Sequence, residues 1–381
     1  MDDGVGIVEP HDYVFATDEP FTLESGNTLS PVTVRYETYG KLAPDRDNAI
    51  LILHAFSGDA HVAGRHTEND RRPGWWDSMV GAGKAFDTDR YFVICSNVIG
   101  GCQGSTGPGT IDPSTGKPYG MSFPIVTIED MVRVQYHLVR SLGIDRLLAV
   151  AGGSMGGMQA LQWAVSFPDA VAGVLVFAST SRLSAQGIAF NAVGRNAIMS
   201  DPRWNKGDYY DTEVPARGLS IARMVAHITY LSDASMHAKF GRRLQESGEL
   251  RFDFDQQFEV ESYLEYKGGS FVDRFDPNTY IYLSKALDYF DLSAKHGSLE
   301  NALSRCTSKF LVVSFTSDWL YPSYQSKEIV VALMRDRKDV SYVEIDCPYG
   351  HDSFLLETER QTPMIRSFLT TVHASEATDG S

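Results

Sequence analysis

Cysteine is scarce in this chain. Its four residues, Cys95, Cys102, Cys306 and Cys347, stand singly among 381 positions and form no C-x-x-C pair. That excludes a disulfide framework and suits thiols kept reduced. Positive charge is short as well: 34 Lys and Arg face 49 Asp and Glu, for a net charge of −15, and there is no Lys/Arg block. Nucleic acid is therefore a poor partner, because phosphate backbones need a basic footprint; a basic pocket for a small phosphorylated ligand is not excluded by a total. No apolar run approaches the roughly 18–20 residues of a membrane span. The opening Met1-Asp2-Asp3-Gly4 lacks the basic and apolar segments of a secretion signal. A cytoplasmic chain without a membrane segment is expected. Internal repeats and low-complexity stretches are also lacking, and Ala374–Ser381 reads as a loose polar tail. What is there, 43% hydrophobic and 22% charged residues, suits a globular enzyme with a large core.

Buried-strand signals recur along the chain. Residues 20–45 hold early strands, with Val32, Val34 and Tyr36 on one face and Thr33, Arg35 and Glu37 on the other. Ala49–His54 and Tyr91–Cys95 are apolar runs of the kind buried on both faces of a parallel sheet, and Leu147–Ala151, Val171–Phe177, Lys309–Phe315 and Val340–Ile345 read as the later strands. Helical spacing fills 127–142. Strands alternating with helices predict an α/β fold, a mostly parallel, doubly wound sheet. The long stretch between the strands at 171–177 and 309–315 is helical by pattern. We read 183–300 as a helical lid inserted into a core formed by 1–182 and 301–381. Ligands of open α/β sheets bind at the carboxyl ends of the strands, so a lid there covers the chemistry.

Residues Gly152-Gly153-Ser154-Met155-Gly156 read G-x-S-x-G between a strand and a helix, the pattern of a nucleophile elbow. A serine hydroxyl needs a base and the base an orienting acid, in chain order Ser, Asp/Glu, His. Of the later histidines, His227, His237 and His296 fall in the insertion and His373 in the tail. His351, after Gly350 and beyond the last strand, is left as the general base. Asp318 follows the strand ending at Phe315 and is the expected acid, with Asp346 its competitor; Asp318 would alternatively cap the helix starting near Pro322. The backbone N–H groups of Met155 and Phe56 are the expected oxyanion donors. A metal cluster of His54, Asp59 and His61 lacks further partners, so no metal is expected. The glycine-rich run Gly100–Pro108 lacks the G-K-[ST] ending of a phosphate loop, and Cys102 has no neighbour to activate it.

Longer strings say more. His54–Gly64, Gly101–Pro108, Ser122–Asp130 and Gly153–Gln159 together resemble the homoserine O-acetyltransferase family, along roughly residues 10–372. The resemblance implies an α/β-hydrolase fold and an acyltransferase of methionine biosynthesis. It would carry acetyl from acetyl-CoA to the side-chain hydroxyl of L-homoserine by a ping-pong route through acetyl-Ser154. No cofactor would be bound permanently, and a homodimer is implied, with lid helices at the interface. By the same resemblance Arg223 meets the homoserine carboxylate and Asp352 its amine; Tyr230, seven residues after Arg223 and so on the same helix face, is the third expected substrate-binding residue. Leu320, two residues after Asp318, stands where succinyl-using relatives carry arginine, which favours a small acyl group; Phe56, where leucine is common, narrows the same space. Succinyl transfer, serine as acceptor, a serine esterase and a non-catalytic binding protein remain the alternatives.

Overall fold

The computed structural model describes residues 4–245 and 248–379. Eight strands form one sheet: β1 (His11–Phe15), β2 (Val32–Tyr39), β3 (Ala49–Leu53), β4 (Phe92–Ser96), β5 (Leu147–Gly153), β6 (Val171–Phe177), β7 (Lys309–Phe315) and β8 (Val340–Ile345). Their spatial order is β1-β2-β4-β3-β5-β6-β7-β8. β1 and β2 run antiparallel to their neighbours. All other pairings are parallel. β3, β5 and β6 are buried along their whole lengths, and each Val, Leu or Ile covered there contributes about 1.5–3 kcal/mol of transfer free energy. That is why these segments read as unbroken apolar runs.

Eleven α-helices are described: α1 (Ile128–Ser141), α2 (Met155–Ser166), α3 (Ala185–Met199), α4 (Ala216–Tyr230), α5 (Asp233–Lys239), α6 (Glu259–Val272), α7 (Pro277–Asp288), α8 (Leu299–Ser304), α9 (Ser323–Arg335), α10 (Ser353–Leu356) and α11 (Thr358–Asp379). α1 starts where the sequence turns polar: Thr127 accepts from the Asp130 amide and Asp130 reaches back, a capping box. α1, α2 and α9 help cover one face of the sheet. α11, with Trp76, Met79 and Phe86, covers the other. No helix among the described residues is long and apolar enough to cross a membrane.

Between β6 and β7 the chain makes the excursion α3–α7, whose neck is closed by an Arg182–Asp291 bridge. α3 packs on α4, α4 on α6, and α7 on α3. Three local readings need correction. β1 was not legible, since its residues alternate without a buried face at either end. The fourth strand is shifted by one residue, to Phe92–Ser96. The tail does not loosen at Ala374, because α11 continues to Asp379; Gly380 and Ser381 lie outside the described residues.

Candidate active site

Ser154 sits between β5 and α2 at φ +57°, ψ −123°. A non-glycine residue is strained there and is held only by its surroundings. Its amide donates to Phe177 O (3.0 Å) and its carbonyl accepts from Ser179 Oγ (2.7 Å), so β6 clamps the turn from the side. Gly156 shows why the motif needs glycine: a Cβ there would lie 2.0 Å from Leu53 O. The first turn of α2 thereby reaches the end of β3, where the next loop begins.

Asp318 and His351 arrive from the ends of β7 and β8. His351 Nδ1 is 2.8 Å from Asp318 Oδ2. Asp318 Oδ1 accepts from the amides of Leu320 (3.0 Å) and Tyr321 (2.9 Å), so this side chain holds its own loop; the helix cap expected near Pro322 is absent, since α9 starts without a side-chain cap. Asp346 turns away to Thr316 Oγ1 (2.8 Å). Burial works against a charged His351, but the charge and hydrogen bond of Asp318, with help from Asp352, outweigh it and hold the imidazole above its ordinary pKa. Gly350, at φ +77°, lets this loop press on the end of α4, where any Cβ would meet Ser232 N at 2.5 Å.

Two cavities of unlike character meet at Ser154, and both are bordered by Phe56 and Tyr230. The larger, about 500 Å³, also holds His351, Asp352, Arg223, His227, Lys267 and Arg274. The smaller, about 60 Å³, is lined by apolar groups including Leu183, Phe190, Val225, Leu287 and Leu320. Phe56 packs on Tyr280 (ring centroids 5.0 Å) and Phe275 (6.0 Å). The Phe56 amide has no hydrogen-bond partner among the described residues, and Met155, first in α2, has no intrahelical acceptor for its own.

Arg223 lies over Phe271 (4.4 Å) and Tyr230 (5.3 Å) and donates to Ser57 Oγ (3.2 Å). Arg274 donates to Ser57 O (2.9 Å) from the other side. The Tyr230 ring is 6.0 Å from that of His351; burial raises its phenol pKa, against the pull of Arg223. Burial pushes Asp352 above the usual carboxylate range, against His351, Arg223 and Lys267. His227 is driven down to about 3, by burial first and then by Arg223, Lys267, Lys239 and Arg274. The cavity thus holds a positive field.

Sequence reasoning missed Arg274, Lys267 and Tyr321. Tyr321, 5.1 Å ring to ring from His351, interacts with the Ser154 side chain. Lys267 on α6, Arg274 in the turn between α6 and α7, and Tyr321 in the loop after β7 carry no spacing signal; only the fold brings them to Ser154.

The suspected grouping of His54, Asp59 and His61 is broken up. His54 is buried with Nδ1 on Ala55 O (2.8 Å) and Nε2 accepting from Val98 N (3.1 Å). His61 instead joins Glu37 and His66, whose ligand atoms lie within 4.8 Å of one another. Glu37 is buried, yet three donors answer it: His61 Nδ1 (2.9 Å), His66 Nε2 (2.7 Å) and the Tyr39 phenol (2.6 Å). Both carboxylate oxygens are thus met by donors of this chain. The Gly100–Pro108 loop spends its polar groups on β2, with Thr106 Oγ1 accepting from Thr33 N (2.8 Å) and Ser105 Oγ from Arg35 N (3.0 Å). Burial pushes Cys102 up to about 12, too high for a thiolate nucleophile at neutral pH.

A family model for the alpha/beta hydrolase fold matches residues 48–358. The homoserine O-acetyltransferase of Methanococcoides burtonii is 56% identical over 373 residues, 98% of this chain and 75% of that protein. The crystal structure of homoserine O-acetyltransferase from Bacillus anthracis superposes with a TM-score of 0.89 at 32% identity, over 95% of this chain and 98% of that one. The crystal structure of esterase E22 does so with a TM-score of 0.88 at 33% identity, over 95% and 100%. With its elbow serine at the end of β5 and relatives of this similarity over nearly its whole length, the chain belongs to the homoserine O-acetyltransferase family of the α/β-hydrolase fold.

Proposed function

We propose that this protein transfers acetyl from acetyl-CoA to the side-chain hydroxyl of L-homoserine. The observation that carries this reading is the meeting of a charged and a small apolar cavity at Ser154. A methyl fits the small one, and no cation lines it to receive a second carboxylate, which disfavours succinyl. The charged one offers Arg223 to an α-carboxylate and Asp352 to an α-ammonium; Tyr230 packs against Arg223 and shapes their approach.

In the first half-reaction the Ser154 Oγ proton passes to His351 Nε2, since Nδ1 is engaged by Asp318. Oγ bonds to the thioester carbonyl carbon, the C–S bond breaks, and CoA leaves as thiol with that proton. In the second, His351 takes the proton of the homoserine hydroxyl, its oxygen bonds to the same carbon, and Ser154 departs and regains its proton. The Phe56 and Met155 amides receive the oxyanion both times. The lid limits water, which would otherwise hydrolyse the acyl-enzyme.

A second reading is hydrolysis, which the likeness to esterase E22 favours. A CoA-release assay decides. Acetyl-CoA and succinyl-CoA are crossed with L-homoserine, L-serine and no acceptor, with Ser154→Ala as control. Release from acetyl-CoA that depends on homoserine and vanishes in the variant supports transfer. Release indifferent to amino acids assigns a hydrolase, and preference for succinyl-CoA overturns the role given to Leu320.

We further propose a homodimer through the lid, supported by exposed Ile188 and Val193 on α3 and Ile221 and Ile228 on α4. Four unpaired cysteines support a cytoplasmic setting.

A further inference from the structure

In a chain of net charge −15, four cations, Arg72, Arg223, Lys267 and Arg274, line one cavity. Arg72, on the exposed loop before Pro73, and Lys267 of α6 line the charged cavity. Lys239, last in α5, stands 4.3 Å from the Tyr263 ring, and Lys267 lies 5.7 Å from the same ring. Several basic side chains elsewhere hold carboxylates, as Arg35 does Asp12, Arg195 Asp288 and Lys295 Glu24; what sets this group apart is that it is gathered at one cavity mouth. Among the described residues none of Arg72, Lys239 and Lys267 has an ion-pair partner. Burial and then Lys239, Arg72 and Arg223 depress Lys267, so the like charges are felt.

An amino-acid substrate does not need them. Its one carboxylate has Arg223 to meet it, with Arg274 beside it on Ser57. In this cleft Arg72, Arg223, Lys267 and Arg274 outnumber Asp59 and Asp352, an excess that concentrates anionic ligands, and lysines bind phosphate as point charges. We propose that Arg72, Lys239 and Lys267 dock the phosphate groups of the acyl donor, the diphosphate and 3′-phosphate of coenzyme A. That charged end stays at the mouth while the thioester reaches Ser154. This rests on the acyl-CoA reading above.

The test compares acetyl-CoA with acetyl-pantetheine, which keeps the thioester and lacks every phosphate, and with acetyl-dephospho-CoA, which lacks only the 3′-phosphate. In the Arg72→Ala/Lys267→Ala variant the ratio of kcat/KM for acetyl-CoA to that for acetyl-pantetheine is expected to fall by about tenfold or more. KM for acetyl-CoA should rise with ionic strength in the native protein and much less in the variant. Arg72→Glu, an exposed charge reversal, should lower the ratio further, and Lys267→Arg should restore it. A ratio within twofold of the native value, or a loss that falls on the KM for homoserine instead, overturns the proposal. If the native protein moves acetyl from neither thioester to homoserine, the functional reading itself fails.

Discussion

Asp318 fixes His351 through one oxygen and its own loop through the other, so the two effects of removing it separate. Asp318→Asn keeps an acceptor for the Leu320 and Tyr321 amides but loses the charge facing His351. Its kcat should drop by about 10⁴-fold while the fold survives, as circular dichroism would report. The pH profile follows from the same pair. His351 must be neutral to accept a proton, and its pKa is raised, so activity disappears as pH falls through that raised value. The acid limb of kcat/KM should therefore lie above the ordinary histidine value of about 6.5. Asp352→Asn, which removes a second raising charge, should move it down; a limb that stays put would detach Asp352 from His351. Arg223→Lys loses the two-pronged grip, and KM for homoserine should rise by about tenfold or more; no change would give the carboxylate to Arg274. Ser154, Asp318 and His351 were legible because a motif and a chain order narrow the choice. Lys267 on α6 and Arg274 in the turn after it were not, because a lone cation on a helix or turn is usually a solvated one until the partner surface is known.

At the level of elements, the elbow depends on α2 touching β3. Gly156→Ala would force Cβ into Leu53 O and should destabilise by about 3 kcal/mol, read as a lower urea midpoint; a neutral effect would mean that the turn relaxes freely. The sequence made β3, β5 and β6 plain because burial on both faces leaves no polar residue to break the run. β1 escaped notice because it is an edge strand whose start is exposed on both faces and so accepts His11 and Asp12. The Glu37 position was also opaque. Alternation along β2 puts it on a definite face, but only the fold brings His61, His66 and Tyr39 to answer a buried carboxylate.

For the whole molecule, lid association is the open architectural question. Light scattering should give a dimer, and Ile221→Glu with Ile228→Glu should shift it to monomer; a native monomer would remove the lid interface. The Asp318–His351 pair and the Ser154 elbow form within one chain, so the monomer is expected to keep its activity; loss of activity on dissociation would assign part of the site to the partner. The insertion also has a consequence for synthesis. β6, apolar along its length, must wait for β7 to cover its open edge, and about 130 residues are translated in between. At 5–20 residues per second that is roughly 7–26 s. For that time a strand that ends wholly buried has an unpaired edge, which is a template for association between nascent chains. The ribosome-bound chain therefore passes through a window in which a chaperone, or the early collapse of α3–α7 over that edge, decides its yield, and the reactive serine leaves the ribosome well before the histidine that activates it.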